Sequence, residues 1–469
     1  MRRGMKASGI MPYLAFLLAV TIILSGCGGE AVSPTPTVTD ALTPSPTLTP
    51  SPEPTDVATP TPTATPTADI PAELLASNFG FLGATHDAEA LEEIGVRWDR
   101  PHPGPFIWGR IEQGYGEGEY DWEEVDEYVV EAQSHGFATL ATIWPFSELD
   151  QAAYSTIAMM PDEIVFEEEL GRARRRPFNM DNYKAFVTAL VERYDGDGVE
   201  DMPGLRYPIK HWEASNEPSM QSGFNWFFDG KSQEYLEILQ ATYEAVKEAD
   251  SEALVLHAGM AGMDPDMVTF WEPIFEQGCQ YFDIANIHSI GASDELNVPA
   301  FRALLDKYGI DKPIWVTEAQ HRSGETFQGT TVTEEEHGRI MLTSYVLAFG
   351  LGTDKIFYTT FRAPPFGEEE FSQSALVEWN GEQRPAFHAL NTMIQKLDGF
   401  TSVEVLGEGR YRFEVGDDTI YVLWGEGPVP EEITGFVVVT DMYGEEMTMT
   451  TEALTIDYEP LFVETVSAG

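Results

Sequence analysis

Two glutamates in the sequence are candidates for a catalytic pair. Glu217 lies in the stretch HWEASNEPS, between Asn216 and Pro218, and Glu318 closes the apolar stretch PIWVTE. Two carboxyl groups that face each other across a gap, one protonated and one ionised, are what the cleavage of a glycosidic bond requires. Each motif alone is also typical of a solvated surface turn. The catalytic interpretation therefore depends on a fold that brings the two side chains together.

The elements that must position these residues are visible as a repeated pattern. Eight short apolar stretches predict strands, in the order FGFLGA, VRWDR, ATLATIW, IKHWEASN, ALVLHAG, FDIANIHS, PIWVTE and KIFYTTF. Amphipathic helical patterns fall between them, as in DNYKAFVTALVERY, where Asp181 is placed to cap the helix. Repeated strand-then-helix units predict an α/β fold, a (β/α)8 (TIM) barrel, over residues 71–400.

The structural alternative to the barrel is a doubly wound open sheet. Such a sheet carries a Gly-rich nucleotide-binding loop after its first strand. The segment FGFLGATHDAEAL contains no GxGxxG pattern, so the barrel is favoured.

In a barrel, functional side chains gather at the C-terminal ends of the strands. Glu217 follows the fourth predicted strand and Glu318 ends the seventh, and these two strands lie across the barrel mouth from each other. We expect the carboxyl groups to be about 5–5.5 Å apart, as in enzymes that retain anomeric configuration, and not at the longer spacing of inverting enzymes.

The motif WEASNEP, followed downstream by WVTEA, resembles the retaining glycoside hydrolases of clan A, with family 39 the most similar. The segments GEYDWEEVDEYVVEAQSHG and GEQRPAFHALNTMIQKL also resemble clan members. The resemblance implies a (β/α)8 barrel in which Glu217 is the acid/base and Glu318 the nucleophile. It further implies that Asn216 binds the sugar 2-hydroxyl.

The same resemblance suggests two polar residues near the pair. Arg100 ends the second strand, where clan members often place an arginine beside the nucleophile, and a cation there would lower the pKa of Glu318. The alternative is a structural ion pair between Arg100 and Glu213. His288 ends the sixth strand, where the clan often has a histidine or tyrosine near the nucleophile; the alternative is a hydrogen-bonded core histidine.

Aromatic residues near the expected mouth are candidate sugar platforms. Trp144 ends the third strand and Tyr358 lies on the eighth. Flat rings suit sugar faces, but large side chains at a barrel rim are also common packing residues. Clan members frequently carry a tryptophan on strand eight, and KIFYTTF contains none.

An arginine cluster is unusual in so acidic a chain. The stretch GRARRRPF contains Arg172, Arg174, Arg175 and Arg176, in the long segment after the third strand. Guanidinium groups match the carboxylate or sulfate of an acidic sugar. The alternative, which we favour, is ion pairing with the nearby acidic run EIVFEEE.

The N-terminus has the pattern of a secretory signal. Basic residues precede a short apolar run, and the motif LSGC ends at Cys27. Because LSGC resembles the bacterial lipobox, residues 1–27 are expected to be a lipoprotein signal peptide, with Cys27 lipidated and holding the chain on a membrane. The alternative is an uncleaved anchor helix. Both interpretations place the protein in the cell envelope or at the cell surface, outside the cytoplasm.

Two further regions flank the predicted barrel. Residues 28–70 are rich in proline and threonine without apolar periodicity, which predicts a disordered linker. Residues 401–469 contain short β-rich stretches separated by turn residues, TSVEVLGE, RYRFEV, TIYVLWGE, GFVVVTD and ALTIDYE. They predict a small C-terminal β-sandwich.

The charge and the motifs of the chain limit the classes of molecule that it is expected to bind. The chain has 78 Asp plus Glu against 27 Lys plus Arg, a formal charge of −51, which repels nucleic acid. It contains no HExxH, paired CxxC or calcium-loop motif, so no metal and no cofactor are expected. A carbohydrate substrate is expected, and no protein partner.

The sequence thus predicts an extracytoplasmic retaining O-glycosyl hydrolase that acts on oligo- or polysaccharides by double displacement. A catalytically silent carbohydrate-binding surface protein on the same barrel is the alternative. A transglycosylase would use the same residues and differ only in the acceptor.

Overall fold

The computed structural model describes residues 67–154, 168–222, 225–290, 295–325, 331–365 and 369–466. The predicted signal peptide, with Cys27, and nearly all of the predicted linker lie outside these residues. Among the helices that are described, none is both long enough and apolar enough to cross a membrane.

Eight parallel strands form the centre of the molecule. They are β1 (Phe79–Leu82), β2 (Trp98–Arg100), β3 (Ala138–Ile143), β4 (His211–Ala214), β5 (Leu254–His257), β6 (Ala285–Ser289), β7 (Ile314–Ala319) and β8 (Thr353–Tyr358). The hydrogen-bonded order is β5-β4-β3-β2-β1-β8-β7-β6. Bridges from Leu256 to Ile284 and from Met260 to Ile287 join β5 to β6 and close the ring. The (β/α)8 barrel is confirmed, and closure excludes the open sheet.

Helices surround the ring and carry the apolar faces that the sequence predicted. They are α1 (Ala72–Ala76), α2 (Ala88–Ile94), α3 (Trp108–Ile111), α4 (Glu123–Ser134), α5 (Glu148–Gln151), α6 (Met180–Tyr194), α7 (Ser232–Ala249), α8 (Pro265–Gly278), α9 (Val298–Lys307), α10 (Glu334–Gly350), α11 (Glu369–Ser374) and α12 (Pro385–Leu397). The cap of α6 is Asn179, whose side chain accepts from the backbone N–H of Asp181 and Asn182. The expected cap, Asp181, is wrong because it already lies inside the helix.

The closed end of the barrel, at the N-terminal ends of the strands, is filled by aromatic side chains. The rings of Trp98 and His211 lie 4.9 Å apart, and His211 stacks on Trp315 at 5.1 Å. The ammonium of Lys355 lies 4.6 Å from the centre of the Trp98 ring. Burial lowers the pKa of His211 to about 3, so the imidazole is neutral. We call this end the floor and the opposite end, with Glu217, the mouth.

Six antiparallel strands follow the barrel. They are β9 (Phe400–Gly407), β10 (Arg410–Val415), β11 (Asp418–Leu423), β12 (Phe436–Asp441), β13 (Glu446–Thr450) and β14 (Leu461–Thr465), in the order β9-β10-β11-β14-β12-β13. One face joins the barrel core, for example where Phe400 meets Phe349 of α10 at 5.0 Å. The C-terminal β domain is confirmed. The stretch ALTIDYE, however, is not a strand, and its Leu454 packs with the apolar cluster on the other face.

Candidate active site

Arg100, the last residue of β2, points into the barrel and binds three side chains. Its Nε donates to Glu213 at 2.8 Å, Nη1 to Glu318 at 2.8 Å and Nη2 to the Asn216 Oδ1 at 2.7 Å. Burial alone would lower the pKa of Arg100, but the two carboxylates raise it above its usual range. The two arrangements that the sequence left open, a cation beside Glu318 and an ion pair with Glu213, are therefore both present.

Glu213 lies at the centre of this buried layer. Its Oε2 also accepts from the Thr142 hydroxyl at 2.6 Å, and Oε1 accepts from Asn286 Nδ2 at 2.7 Å and from the Gly259 N–H at 3.2 Å. Burial would raise the pKa of Glu213, but Arg100 and the hydroxyl donor lower it below its usual value. Glu213 is therefore an ionised acceptor that orients every group around it.

Glu217 and Glu318 come together at the mouth. One carboxylate oxygen of each lies within 4.8 Å of the other. Both residues are almost covered, with 6% and 8% of their surface exposed. The backbone leaves β4 through positive φ angles at Ser215 and Glu217, a conformation that non-glycine residues adopt mainly where the surrounding structure enforces it. The pairing expected from strands four and seven is present.

His288 contacts Glu217 more closely than Glu318. Its Nδ1 lies 2.8 Å from Glu217 Oε1 and 3.6 Å from Glu318 Oε1, and its Nε2 lies 2.9 Å from the Thr317 hydroxyl. Burial lowers the pKa of His288 to about 4. A Cβ on Gly259 would lie 1.9 Å from Nε2, so glycine is needed there. The expected position of His288 near Glu318 is present, and its hydrogen bond goes to Glu217.

Asn216 offers a free donor in this cluster. Its Oδ1 is held by Arg100, while its buried Nδ2 has no hydrogen-bond partner among the residues that the structure describes. A buried amide donor without a partner is costly. Hydrogen bonding to a sugar hydroxyl would satisfy it.

The two predicted sugar platforms, Tyr358 and Trp144, are both buried. Tyr358 is 1% exposed, and its hydroxyl bonds His337 and the backbone oxygen of Ser374 at 2.7 Å. Its side chain points outward from β8 toward the helices, so it is a packing residue. Trp144 has no exposed surface, because its ring packs against Phe227 and its indole N–H donates to the Pro103 oxygen. Neither ring presents a face to a sugar.

Two arginines of the long segment after β3 pair with acids from elsewhere in the chain, and a third bonds backbone oxygens. Arg175 bonds Asp229 at 3.0 Å, and Arg176 bonds Glu237 of α7. Arg174 is buried and donates to the backbone oxygen of Trp226 at 3.0 Å. Most of the acidic run EIVFEEE lies outside the described residues. The arginines therefore clamp the segment after β3 to the one after β4.

Two groups of side chains in the part of the chain that is described have the spacing of metal ligands. One is Glu217, His288 and Glu318, and the other is Asp195, Asp197 and Asp201 after α6. In the second group, Asp201 accepts from the backbone N–H groups of its own loop. That the reaction needs no metal stays a prediction.

One family model matches part of the chain. The glycoside hydrolase 42 family model, described as β-galactosidase, matches residues 206–400, a span that contains both Glu217 and Glu318. No curated protein matches the chain.

Solved structures share the fold at low identity. A family 39 glycoside hydrolase from the gut symbiont Bacteroides cellulosilyticus WH2 has a TM-score of 0.60 and 15% identity over 85% of this chain and 83% of its own. A glucosidase from Croceicoccus marinus has a TM-score of 0.55 and 14% identity, over 86% and 98%. The catalytic domain of the GH30 xylanase C from Talaromyces cellulolyticus has a TM-score of 0.52 and 13% identity, over 86% and 98%. The resemblance to clan A is confirmed: the matched family model supports a glycosidase, and the solved structures share the (β/α)8 barrel.

Proposed function

We propose that this glycosidase retains anomeric configuration and acts by double displacement, with Glu318 as nucleophile and Glu217 as acid/base. The observation that carries the proposal is the unlike surroundings of two carboxyl groups within 4.8 Å of each other. Glu318 accepts from the guanidinium of Arg100, whereas Glu217 bonds the imidazole of His288. Such contrast separates an ionised carboxylate from a protonated one.

The proposed reaction has two steps. In the first, a Glu318 oxygen attacks the anomeric carbon while the bond to the leaving oxygen breaks, and Glu217 gives its proton to that oxygen. In the second, Glu217 takes a proton from water, whose oxygen attacks the same carbon and releases Glu318. The short separation supports retention, since inverting pairs are about 6.5–9.5 Å apart to leave room for a water.

For the substrate, we propose a β-linked galactoside as the first choice, since the matched family model is described as β-galactosidase. Glucosides and xylosides come next, because the structural neighbours are titled glucosidase and xylanase. Asn216 Nδ2 would donate to the 2-hydroxyl, which all three sugars share.

A panel of 4-nitrophenyl glycosides tests this proposal. Hydrolysis of one of them, with ¹H NMR showing that the first-formed sugar keeps the anomeric configuration of the substrate, is the expected result. Glu318→Gly should abolish turnover, and added azide should restore it with formation of a glycosyl azide. An inverted first product contradicts the retaining mechanism. Saturable binding of oligosaccharides without turnover would favour the carbohydrate-binding alternative.

We also propose that the enzyme works outside the cytoplasm, tethered to a membrane through a lipid on Cys27. The support is the basic start, the apolar run and the LSGC motif, followed by the Pro/Thr-rich segment. One acyl anchor gives only marginal membrane binding, whereas several acyl chains hold a protein stably. We therefore expect a multiply acylated cysteine.

A further inference from the structure

We propose that Asn286 and Thr317 are positioning residues that fix the tautomer of His288, so that its Nδ1 lone pair faces Glu217 and holds the acid proton on that side chain. The inference rests on the proposed function and deepens it. It explains how a structure with two similar glutamates at its mouth makes one of them the acid before any substrate binds.

The donor and acceptor roles in this series of hydrogen bonds follow from Glu213. This carboxylate is ionised and can only accept, so the group of Asn286 that lies 2.7 Å from it must be the amide nitrogen. The orientation of Asn286 is thereby decided. Its carbonyl oxygen faces the other way, toward Thr317, and it too can only accept.

Thr317 links Asn286 to His288 through its hydroxyl. Its hydroxyl lies 2.8 Å from Asn286 Oδ1 and must donate its single proton there. The same hydroxyl lies 2.9 Å from His288 Nε2, and with its proton already used it can only accept from that nitrogen. His288 therefore carries its proton on Nε2.

The last link reaches the reacting group. With the proton on Nε2, Nδ1 of a neutral imidazole has a lone pair, and Glu217 Oε1 lies 2.8 Å from it. Two acceptors do not bond each other, so the proton of this hydrogen bond belongs to Glu217. His288 has no exposed surface, and burial lowers its pKa to about 4. The imidazole is therefore neutral near pH 7.

The charges around His288 are consistent with this assignment. Glu318 Oε1 lies 3.6 Å from Nδ1 and, with Glu213, favours a charged imidazole, while Arg100 and His102 disfavour it. Burial outweighs them in lowering the pKa. Arg100 donates to Glu318 from the opposite side, at 2.8 Å.

The arrangement has a consequence for both steps. The lone pair on Nδ1 disfavours the ionised form of Glu217. Glu217 therefore stays protonated until the leaving oxygen takes its proton. The carboxylate that results faces the same lone pair and is a stronger base toward the incoming water.

The tautomer can be measured without any substrate. In the full chain labelled with ¹⁵N-histidine, long-range ¹H–¹⁵N spectra distinguish a proton on Nε2 from one on Nδ1, and the His288→Asn variant assigns the signal among the nine histidines. We expect the Nε2–H form at neutral pH. An Nδ1–H form or a doubly protonated ring overturns the proposal. Because no turnover is involved, this result is independent of whether the glycosidase substrate has been found.

Variants of Thr317 test its role in the relay. Thr317→Val keeps the shape but removes the acceptor for Nε2–H, so the ring is expected to move its proton to Nδ1 and donate to an ionised Glu217. Thr317→Ser keeps the hydroxyl and should keep the Nε2–H form. If Thr317→Val folds, as circular dichroism would show, and still has Nε2–H, Thr317 does not fix the tautomer.

Activity gives a second readout. On 4-nitrophenyl β-galactoside, the alkaline limb of the kcat/KM profile of Thr317→Val should move down by about one pH unit, because Glu217 loses its proton more easily. Thr317→Ser should keep the native limb. With 2,4-dinitrophenyl β-galactoside, whose leaving group needs no acid, the kcat/KM of Thr317→Val should fall by a smaller factor than with the 4-nitrophenyl substrate. Equal losses on both substrates would indicate a structural defect and overturn the relay. Turnover of neither galactoside by the native chain would count against the proposed substrate alone.

Discussion

Arg100 and Glu318 form a 2.8 Å ion pair in which the arginine side chain is fully buried and the carboxylate keeps 11% of its surface exposed. The cation thus lies behind the carboxylate, on the side away from solvent. The exposed edge of Glu318 is left for a substrate. The same arginine holds Glu213, so the ion pair at the mouth and the buried layer beneath it form one network.

Removing Arg100 should destabilise the fold as well as the site. Arg100→Met leaves Glu213 buried without its cation, and we expect the free energy of unfolding to fall by about 3–5 kcal/mol, measured by urea denaturation. The double variant Arg100→Met/Glu213→Gln is the control, since it removes the uncompensated charge and should recover part of the loss. A single variant as stable as the native chain would show that the network is not what holds this layer.

Glu217→Gln should separate the acid role from binding. We expect kcat/KM on 4-nitrophenyl β-galactoside to fall by about 10²–10⁴-fold, the usual contribution of a general acid. The first step with the 2,4-dinitrophenyl substrate, seen as a burst in stopped-flow, should be nearly unaffected because its leaving group needs no proton. Equal losses on both substrates would argue against Glu217 as the acid.

The order of elements was predictable from the sequence because apolar runs and amphipathic segments alternate strictly around the barrel. All eight strands were found that way, and the positions of Glu217 and Glu318 followed from strand count. Tyr358 was misassigned because the sequence does not say which face of β8 points inward; its neighbour Phe357 is the inward residue at the floor.

The polar layer beneath the pair was harder to predict. Asn286 and Thr317 occur in ANIHS and WVTEA as isolated polar residues in apolar strands, and their alternation with Ile287 and Val316 places them inward. That signal shows a polar interior but not the partners, since each hydrogen bond joins residues far apart in the chain. The arginine partners Asp229 and Glu237 were missed for the same reason.

Asp99 should make stability depend on pH. It is buried, bonded by the Tyr128 hydroxyl and the Ala84 N–H, and burial raises its pKa to about 7. The unfolded chain, whose Asp99 has a pKa of 3.8, holds this proton less tightly than the folded state does. The contribution of the protonated carboxyl to the free energy of unfolding is therefore complete below about pH 4. It is then lost as pH rises toward 7, by up to about 1.4 kcal/mol per pH unit.

Asp99→Asn is the matched variant, since an amide can accept from Ala84 without ionising. The difference in free energy of unfolding between the two chains, measured by urea denaturation from pH 4 to 8, should move in favour of the variant as pH rises. A difference that does not change with pH would mean that Asp99 titrates at its ordinary value.

Cys27→Ser should release the protein from membranes. With the acylated residue removed, we expect the chain to move from the membrane pellet to the soluble fraction in a bacterial host, and labelled palmitate no longer to be incorporated. Continued sedimentation of Cys27→Ser with membranes would favour the uncleaved anchor helix.

Two hydrogen bonds attach α1 to the floor of the barrel. The indole N–H of Trp98 donates to the Leu74 oxygen at 2.7 Å, and the Lys355 ammonium donates to the Leu75 oxygen at 2.8 Å. Helix α1 therefore joins the barrel at the floor, on the side opposite Glu217 and Glu318. Because it is held there, α1 takes up no space at the mouth, and the surface above the two glutamates is left to a saccharide.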